Sequence, residues 1–295
     1  MMFRRLLLVS ALVLVGSTTA GAGGFASVSG ASPLAQGPGN TAPLRSCSYS
    51  AIQPYLYSPG HLTVATDAPA YPPWFEHNRP SDGQGYESAV AYDVAKKLGF
   101  KPSQVRWVVE TFNASYAPGP KHFDFDINEI SVTKTRAKAV TFSVGYYTDD
   151  EALVALKGSP IVKHHTPAAL KTYVYGEEIG TTALQYINSR IQPTHRPETF
   201  TTLNDVKSAL QDHRIAAFVT DTPTSQYIAT TEIPHAVVVG QFPASGQHYG
   251  LLFQKGDKLV KCVDKAIDEL KKAGVLRDLA SKYLRVYTSI PVIKP

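Results

Sequence analysis

A short polar segment that ends in an arginine has the residue types of an anion-binding site. Residues 129–136 read EISVTKTR. Ser131 and Thr133 are two residues apart, so they share one face if the segment is a strand. An arginine just past the strand end, here Arg136, offers a planar set of donors that matches a carboxylate. The spacing predicts a pocket for a small zwitterion.

Two other polar positions suit the same pocket. Gly180-Thr-Thr182 opens a predicted helix, where free amides attract anions and threonine hydroxyls add donors. Capping of that helix by Thr181 or Thr182 is the alternative, and both roles are compatible. Asp221 ends an apolar strand, and a carboxylate in a cleft needs a cation. Capping of the helix after Pro223 is the alternative for Asp221.

Two series of alternating strands and helices position these residues. Alternation of this kind predicts α/β units with parallel sheets, whose ligands lie at the carboxyl ends of the strands. The series meet at Glu151 and again near Tyr249, which predicts two lobes joined by two crossings. The predicted strands cover 61–66, 105–109, 123–132, 151–156, 172–179, 215–219 and 236–239, and the predicted helices cover 88–98, 183–191, 202–210, 259–270 and 275–284.

The beginning of the chain predicts export. Arg4 and Arg5 precede an apolar run over 6–15, and small residues follow. This pattern is typical of a secretory signal peptide, here 1–22, and the apolar run is too short for a permanent membrane helix. Residues 23–46 are rich in Gly, Ala, Ser, Pro and Gln, which favours a disordered leader. We expect a periplasmic or extracellular protein with its signal peptide removed.

The remaining residues, roughly 240, exceed what one hydrophobic core usually organises. We predict a first lobe from 47–150, a second lobe from 151–247, and a C-terminal return to the first lobe over 248–295. The chain has two cysteines, Cys47 and Cys262. An oxidising compartment permits a bridge between them, but the sequence does not give their distance, so the bridged and the free states both stay open.

Charge and motifs exclude several classes of function. Without Arg4 and Arg5, 27 basic residues face 24 acidic ones, and no basic run occurs, so nucleic acid is not an expected partner. The chain lacks a GxSxG nucleophile motif, a P-loop, an HExxH motif and any metal-type Cys/His spacing. We therefore predict neither a cofactor nor a metal.

Six segments in this order resemble one known family. They are HLTVATDAPAYPPWFE, AVAYDVAKKLGF, ISVTKTRAKAVTFS, IGTT, FVTDTPTS and YGLLFQKGDKLVKCVDKAIDELKKAGVLRDLASKYL. The chain is similar over 60–284 to the extracytoplasmic solute-binding proteins of polar amino-acid ABC importers. The resemblance implies a two-lobed type II periplasmic-binding-protein fold. In this α/β fold each lobe has a mostly parallel sheet flanked by helices, and two hinge crossings join the lobes.

The resemblance also implies roles for particular residues. Arg136 matches the arginine that clamps the ligand carboxylate, and Ser131 matches a strand residue that holds both the carboxylate and the amino group. Gly180, Thr181 and Thr182 match the loop that completes carboxylate binding. Asp221 matches the acid that binds the ligand ammonium.

Aromatic and acidic positions bear on the ligand's side chain. Tyr71 matches the family's platform residue and Phe112 a facing aromatic, so a side chain could stack between them. Trp74 is the alternative to Tyr71, with a buried structural role as the other interpretation. Asp67 and Glu129 could approach the side chain, although the family more often has Ser or Gly at the Glu129 position. A Glu129 that faces the pocket favours Arg, Lys or Gln as ligand, whereas a Glu129 paired with a lysine does not.

The resemblance implies a binding protein without a covalent step. It would close on a polar or cationic L-amino acid, act as a monomer, and dock to an ABC permease. The alternative is a secreted cyclohexadienyl dehydratase on the same fold, with Glu129 as general acid. A receptor sensor module is disfavoured, because no membrane helix or kinase follows Tyr283 in this sequence.

Overall fold

The structure, a computed structural model, describes residues 45–284 and 290–293. The signal peptide predicted over 1–22 lies outside these residues, and so does the leader predicted over 23–46 except for its last two positions. Within the described ranges, no helix has the length and apolar character needed to cross a membrane.

Strands and helices alternate along most of the described chain. The strands are β1 (Leu62–Thr66), β2 (Val105–Val109), β3 (Phe125–Asp126), β4 (Val140–Phe142), β5 (Tyr147–Leu156), β6 (Gly176–Glu178), β7 (Glu198–Phe200), β8 (Ala217–Asp221), β9 (Ala236–Tyr249) and β10 (Leu252–Gln254). The helices are α1 (Tyr49–Ile52), α2 (Tyr86–Lys97), α3 (Phe112–Ser115), α4 (Arg136–Ala139), α5 (Pro167–Leu170), α6 (Thr182–Tyr186), α7 (Leu203–Gln211), α8 (Thr222–Tyr227), α9 (Val260–Lys272) and α10 (Val275–Tyr283).

The first lobe is a five-stranded sheet with the order β2-β1-β3-β10-β4. Strand β1 pairs in parallel with β2 and with β3, while β10 is antiparallel to both of its neighbours. All five residues of β1 are buried, as expected for a strand covered on both faces. Helices α2, α9 and α10 pack their apolar faces onto this sheet and form the largest core.

Two adjacent strands carry the chain between the lobes. The chain leaves the first sheet after β4 and enters the second lobe on β5, then returns on β9 to β10. Strands β5 and β9 are antiparallel, and Tyr147 faces Tyr249 where they begin and end. The two crossings therefore lie side by side, which is the arrangement that a two-lobed hinge protein requires.

The second lobe has more antiparallel pairing than the sequence suggests. Strands β6 and β7 are parallel, and a single parallel bridge joins Tyr175 to Ala217. Strand β5 is antiparallel to β9, because the two crossing strands run in opposite directions, and it is also antiparallel to β8. Side chains from β5 enter one core at Leu153 and another at Val154. Burial of both faces explains the unbroken apolar run in the second half of this strand, residues 152–156.

Cys47 and Cys262 form a disulfide, which decides the alternative left open by the sequence. Cys47 lies just before α1, and Cys262 lies on the buried face of α9. The two residues are 215 positions apart, so the bond closes most of the described chain into one loop. A cross-link over such a loop restricts the unfolded chain and typically stabilises the fold by about 2–4 kcal/mol.

Residues 290–293 lie against the second lobe, whereas the sequence assigned all of 248–295 to the first. The amide of Gln241 donates to the Pro291 carbonyl at 2.7 Å, and the amide of Ile293 donates to the Gln241 carbonyl at 2.8 Å. Ile293 is buried in the core of the second lobe. Strand β9 is the edge of its sheet, and an edge offers unpaired groups to a further segment.

Candidate functional site

A cavity of about 630 Å³, including its opening to solvent, lies between the lobes. Its walls contain many of the residues predicted from the sequence. They are Asp67, Tyr71, Phe112, Glu129, Ser131, Thr181, Thr182 and Asp221. The other predicted residues, Arg136, Gly180 and Trp74, are not part of its lining.

Arg136 is the first residue of α4 and is buried where the lobes meet. Its Nη1 donates to the Ser131 carbonyl at 2.9 Å, and its Nη2 donates to the Gly180 carbonyl at 3.0 Å. The guanidinium carbon lies 5.2 Å from the Phe112 ring centroid and 4.5 Å from that of Tyr116. These contacts fix the plane of the guanidinium and aim it between the two lobes.

Hydroxyl and amide groups from both lobes form a cluster on one cavity wall. The Thr182 hydroxyl donates to Gln247 Oε1 at 2.7 Å, and the Ser131 hydroxyl donates to the same oxygen. The Gln247 side-chain amide donates to Glu151. Thr181 caps α6, since its Oγ1 accepts from the Leu184 amide at 3.1 Å. Thr181 therefore has the predicted capping role, and it also lines the cavity.

Two carboxyls from opposite lobes meet in the cavity. Glu129 belongs to the first lobe and Asp221 to the end of β8, and their side chains lie within reach of a shared proton. Burial, the negative charge of Asp221 and that of Glu87 all raise the pKa of Glu129 well above its ordinary value. Burial also raises the pKa of Asp221. Asp221 caps α8 as well, because its Oδ1 accepts from the Thr224 amide at 2.9 Å.

The cavity is strongly acidic. Besides Glu129 and Asp221, its lining contains Asp67, Glu151, Glu177 and Glu178, and no lysine or arginine is among the described lining residues. Burial raises the pKa of Glu151 to about 8 and that of Glu178 to about 7. Carboxyls in such surroundings either hold protons or require a cation. The cavity can therefore take up positive charge when its carboxyls release their protons.

A family profile decides the class of this protein. The profile described as bacterial extracellular solute-binding proteins, family 3, matches residues 62–286. The chain belongs to this family. The match covers both lobes and all residues of the cavity.

Two curated relatives of this solute-binding protein come from Escherichia coli K12. The lysine/arginine/ornithine-binding periplasmic protein is 26% identical over 247 residues, which cover 79% of this chain and 91% of the relative. An L-cystine-binding protein is 26% identical over 234 residues, which cover 76% and 82% of the two chains.

A solved structure shows the same fold. It is an ancestral arginine-binding protein bound to arginine, and it superimposes with a TM-score of 0.64 at 27% identity. The superposition covers 76% of this chain and 98% of that one. The type II periplasmic-binding-protein fold predicted from the sequence is thereby confirmed.

Aromatic residues of the solute-binding protein divide between cavity and core. Tyr71 and Phe112 both line the cavity, and Lys207 Nζ lies 5.0 Å from the Tyr71 ring centroid. Trp74 is fully buried instead, and its Nε1 donates to the Thr224 hydroxyl at 2.8 Å. Of the two interpretations considered for Trp74, the structure therefore supports the buried structural role.

Several cavity residues of the solute-binding protein were missed at the sequence level. They are Asn128, Glu151, Glu177, Glu178, Leu203, Thr220, Gln247 and Tyr249, together with Ala183. Glu177 and Glu178 come just before the loop at Gly180, so their position in the sequence could have predicted that they line the cavity. No comparable signal marks Gln247, which reaches the cavity only through the pairing of β9 with β5.

Proposed function

We propose that this protein binds an amino acid with a cationic side chain outside the cytoplasm and delivers it to an ABC-type permease. One observation carries the proposal: six carboxyls and no lysine or arginine are found among the described residues that line the cavity. A neutral or acidic ligand would leave most of these carboxyls protonated. A cationic ligand pairs with them and lets them ionise.

The cavity offers a separate partner for each charged group of such a ligand. The carboxylate meets the hydroxyls of Ser131 and Thr182, which line the cavity, and the remaining N–H donors of Arg136, whose guanidinium lies outside the lining and is bonded to the Ser131 carbonyl. The α-ammonium meets the carboxyl pair of Glu129 and Asp221. The side-chain cation is left for Asp67 and the acids of the second lobe.

Acids near the aromatic wall, which is formed by Tyr71 and Phe112, supply the partner for the side-chain cation of the ligand. Asp67 and Glu178 lie on opposite lobes. Burial and the negative charge of Asp67 raise the pKa of Glu178 to about 7, and burial raises the pKa of Asp67. Tyr71 lies beside these two acids. Burial is the main cause of its raised pKa, and the negative charges of Glu178 and Asp67 raise that pKa further. A planar or ammonium cation between Tyr71 and Phe112 would gain from the ring faces as well as from the carboxylates.

Hinge closure follows from the same arrangement. The groups assigned to the ligand come from both lobes, so they surround it fully only when the lobes approach. Ligand binding then favours the closed form by the difference in its affinity for the two forms. The permease would recognise that closed form. The comparison with the lysine/arginine/ornithine-binding relative supports both the ligand class and the transport role.

Calorimetric titration with L-arginine and L-citrulline tests the ligand class. L-citrulline has nearly the shape of L-arginine but carries no side-chain cation. We expect L-arginine, L-lysine or L-ornithine to bind at least about 30-fold more tightly than L-citrulline, because an unpaired buried charge costs roughly 2 kcal/mol or more. Equal binding of L-citrulline, or tighter binding of L-cystine, would contradict the proposal.

Cyclohexadienyl dehydratase activity is the second candidate, and the buried carboxyl of Glu129 favours it. Its raised pKa lets it hold a proton that a general acid must donate. However, prephenate carries two carboxylates and would enter a cavity lined by six carboxyls. Incubation with prephenate, followed by a measurement of absorbance, distinguishes a dehydratase from a binding protein. Turnover that Glu129→Gln abolishes would establish an enzyme, and unchanged absorbance is the outcome we expect.

A further inference from the structure

Three side chains of the first lobe converge on one turn of the second lobe. Asn113 Nδ2 donates to the Ile179 carbonyl at 3.1 Å. Arg136 Nη2 donates to the Gly180 carbonyl at 3.0 Å, and the Tyr116 hydroxyl lies 3.2 Å from that same oxygen. Two successive carbonyls of the turn therefore accept hydrogen bonds across the cleft.

Asn113 and Tyr116 also hold each other in place. The Tyr116 hydroxyl donates to Asn113 Oδ1. The Tyr116 ring lies under the guanidinium of Arg136, 4.5 Å from its carbon atom. Burial raises the pKa of Tyr116, so its phenol stays protonated and remains a donor at neutral pH. The donors of the first lobe thus form one connected group.

Gly180 permits this close approach. Its φ of +84° belongs to the left-handed region that glycine adopts readily. A Cβ at this position would lie 2.1 Å from Asn113 Oδ1 and 2.2 Å from the Tyr116 hydroxyl. Any other residue would therefore strain the turn and collide with the facing lobe.

The turn is held in its own lobe by separate contacts. The Thr181 hydroxyl donates to the Glu178 carbonyl at 2.8 Å and accepts from the Leu184 amide at 3.1 Å. Asn113 and Tyr116 do not line the cavity. Their bonds to Ile179 and Gly180 can therefore break when the lobes separate, while the turn and the cavity wall stay intact.

We propose that Asn113 and Tyr116 are positioning residues that hold the lobes together at the rim of the cleft, with or without ligand. They act through the Ile179 and Gly180 carbonyls rather than through the ligand. The proposal extends the proposed binding function, since a held rim slows the escape of a ligand from the cavity. It can nevertheless be tested without any ligand.

The test measures the distance between the lobes. Spin labels at Lys134→Cys and Thr201→Cys, one exposed site on each lobe, report the spacing in the ligand-free protein. The decisive variant combines Asn113→Ala with Tyr116→Phe, which keeps the ring against Arg136. The control is Tyr92→Phe, which removes a hydroxyl that donates to the Ser81 carbonyl within the first lobe at 2.8 Å.

We expect a spacing that fits this structure in the wild type and in Tyr92→Phe, and a longer spacing in the double variant. Gly180→Ala, a second variant, should lengthen the spacing as well. The double variant should also release L-arginine roughly tenfold faster with an unchanged association rate. It loses the Asn113 bond to the Ile179 carbonyl and the Tyr116 bond, whose single proton is shared between Asn113 Oδ1 and the Gly180 carbonyl.

Two results would overturn the proposal. One is a ligand-free wild type whose labels are already farther apart than this structure allows. The other is a double variant whose spacing equals that of Tyr92→Phe. If L-arginine fails to bind the wild type, the proposed function fails, and the ligand-free spacing still decides whether Asn113 and Tyr116 hold the rim.

Discussion

Replacing Arg136 by methionine is expected to weaken L-arginine binding by roughly 100-fold or more. The guanidinium is buried and aimed between the lobes, so its loss leaves the ligand carboxylate desolvated without its main partner. Truncating one member of a buried, hydrogen-bonded charge pair typically costs 2–5 kcal/mol. Isothermal titration calorimetry measures the change directly.

Matched ligands and variants isolate the carboxylate contact. Agmatine is L-arginine without its carboxylate, so Arg136→Met should weaken agmatine far less than L-arginine. Arg106→Met removes an exposed arginine of β2 and should leave both affinities unchanged. Equal losses for the two ligands would show that Arg136 acts through the Gly180 turn alone and would contradict the carboxylate assignment.

Acidification is expected to weaken L-arginine binding, by up to tenfold per pH unit for each proton involved. In the ligand-free cavity, burial and Asp221 raise the pKa of Glu129, so the pair of carboxyls holds a proton. The ligand ammonium favours the ionised pair and lowers that pKa. Binding therefore releases a proton, and affinity falls as the pH drops below the raised pKa of the free pair.

Calorimetry in two buffers of different ionisation enthalpy counts the protons released. Glu151 and Glu178, whose pKa values burial raises to about 8 and about 7, add to the count if the ligand also ionises them. Glu129→Gln has an amide that cannot release a proton, so its pH dependence should be flatter by up to one proton. A wild type whose affinity is the same at pH 5 and pH 8 would rule out the proton exchange.

Much of the first lobe could be predicted from the sequence. Strand β1 is a short apolar run, and α2 carries its apolar residues on one stripe, so each has the period of its own structure. Val90, Ala91 and Val94, which lie on this stripe, are all buried. The local sequence pattern is enough to predict an element that packs its own apolar face onto a sheet.

Elements whose pairing comes from distant residues were predicted less well. The sequence ended a strand at 239, but β9 continues to Tyr249 through the polar segment QFPASGQHY. This part is held by its register with β5 and has little apolar alternation of its own. The strand predicted over 172–179 is shorter in the structure. Only its last part, β6, forms a strand, because only this part pairs with β7.

The residues of the site also differ in whether the local sequence predicts them. Ser131 and Asp221 follow recognisable segments, and the structure brings both to one cavity. Glu151 and Gln247 lie 96 residues apart and meet only through the β5–β9 ladder, which no local pattern reveals. The pairing of Glu129 with Asp221 depends on the approach of two lobes and is equally invisible in the sequence.

A crystal structure of the protein grown with L-arginine would show which groups hold each charged part of the ligand. We expect the ligand carboxylate on Arg136, the α-ammonium between Glu129 and Asp221, and the side-chain guanidinium among Asp67, Glu178 and the aromatic wall. A cavity that stays empty at saturating L-arginine, or a ligand whose carboxylate points away from Arg136, would contradict the account.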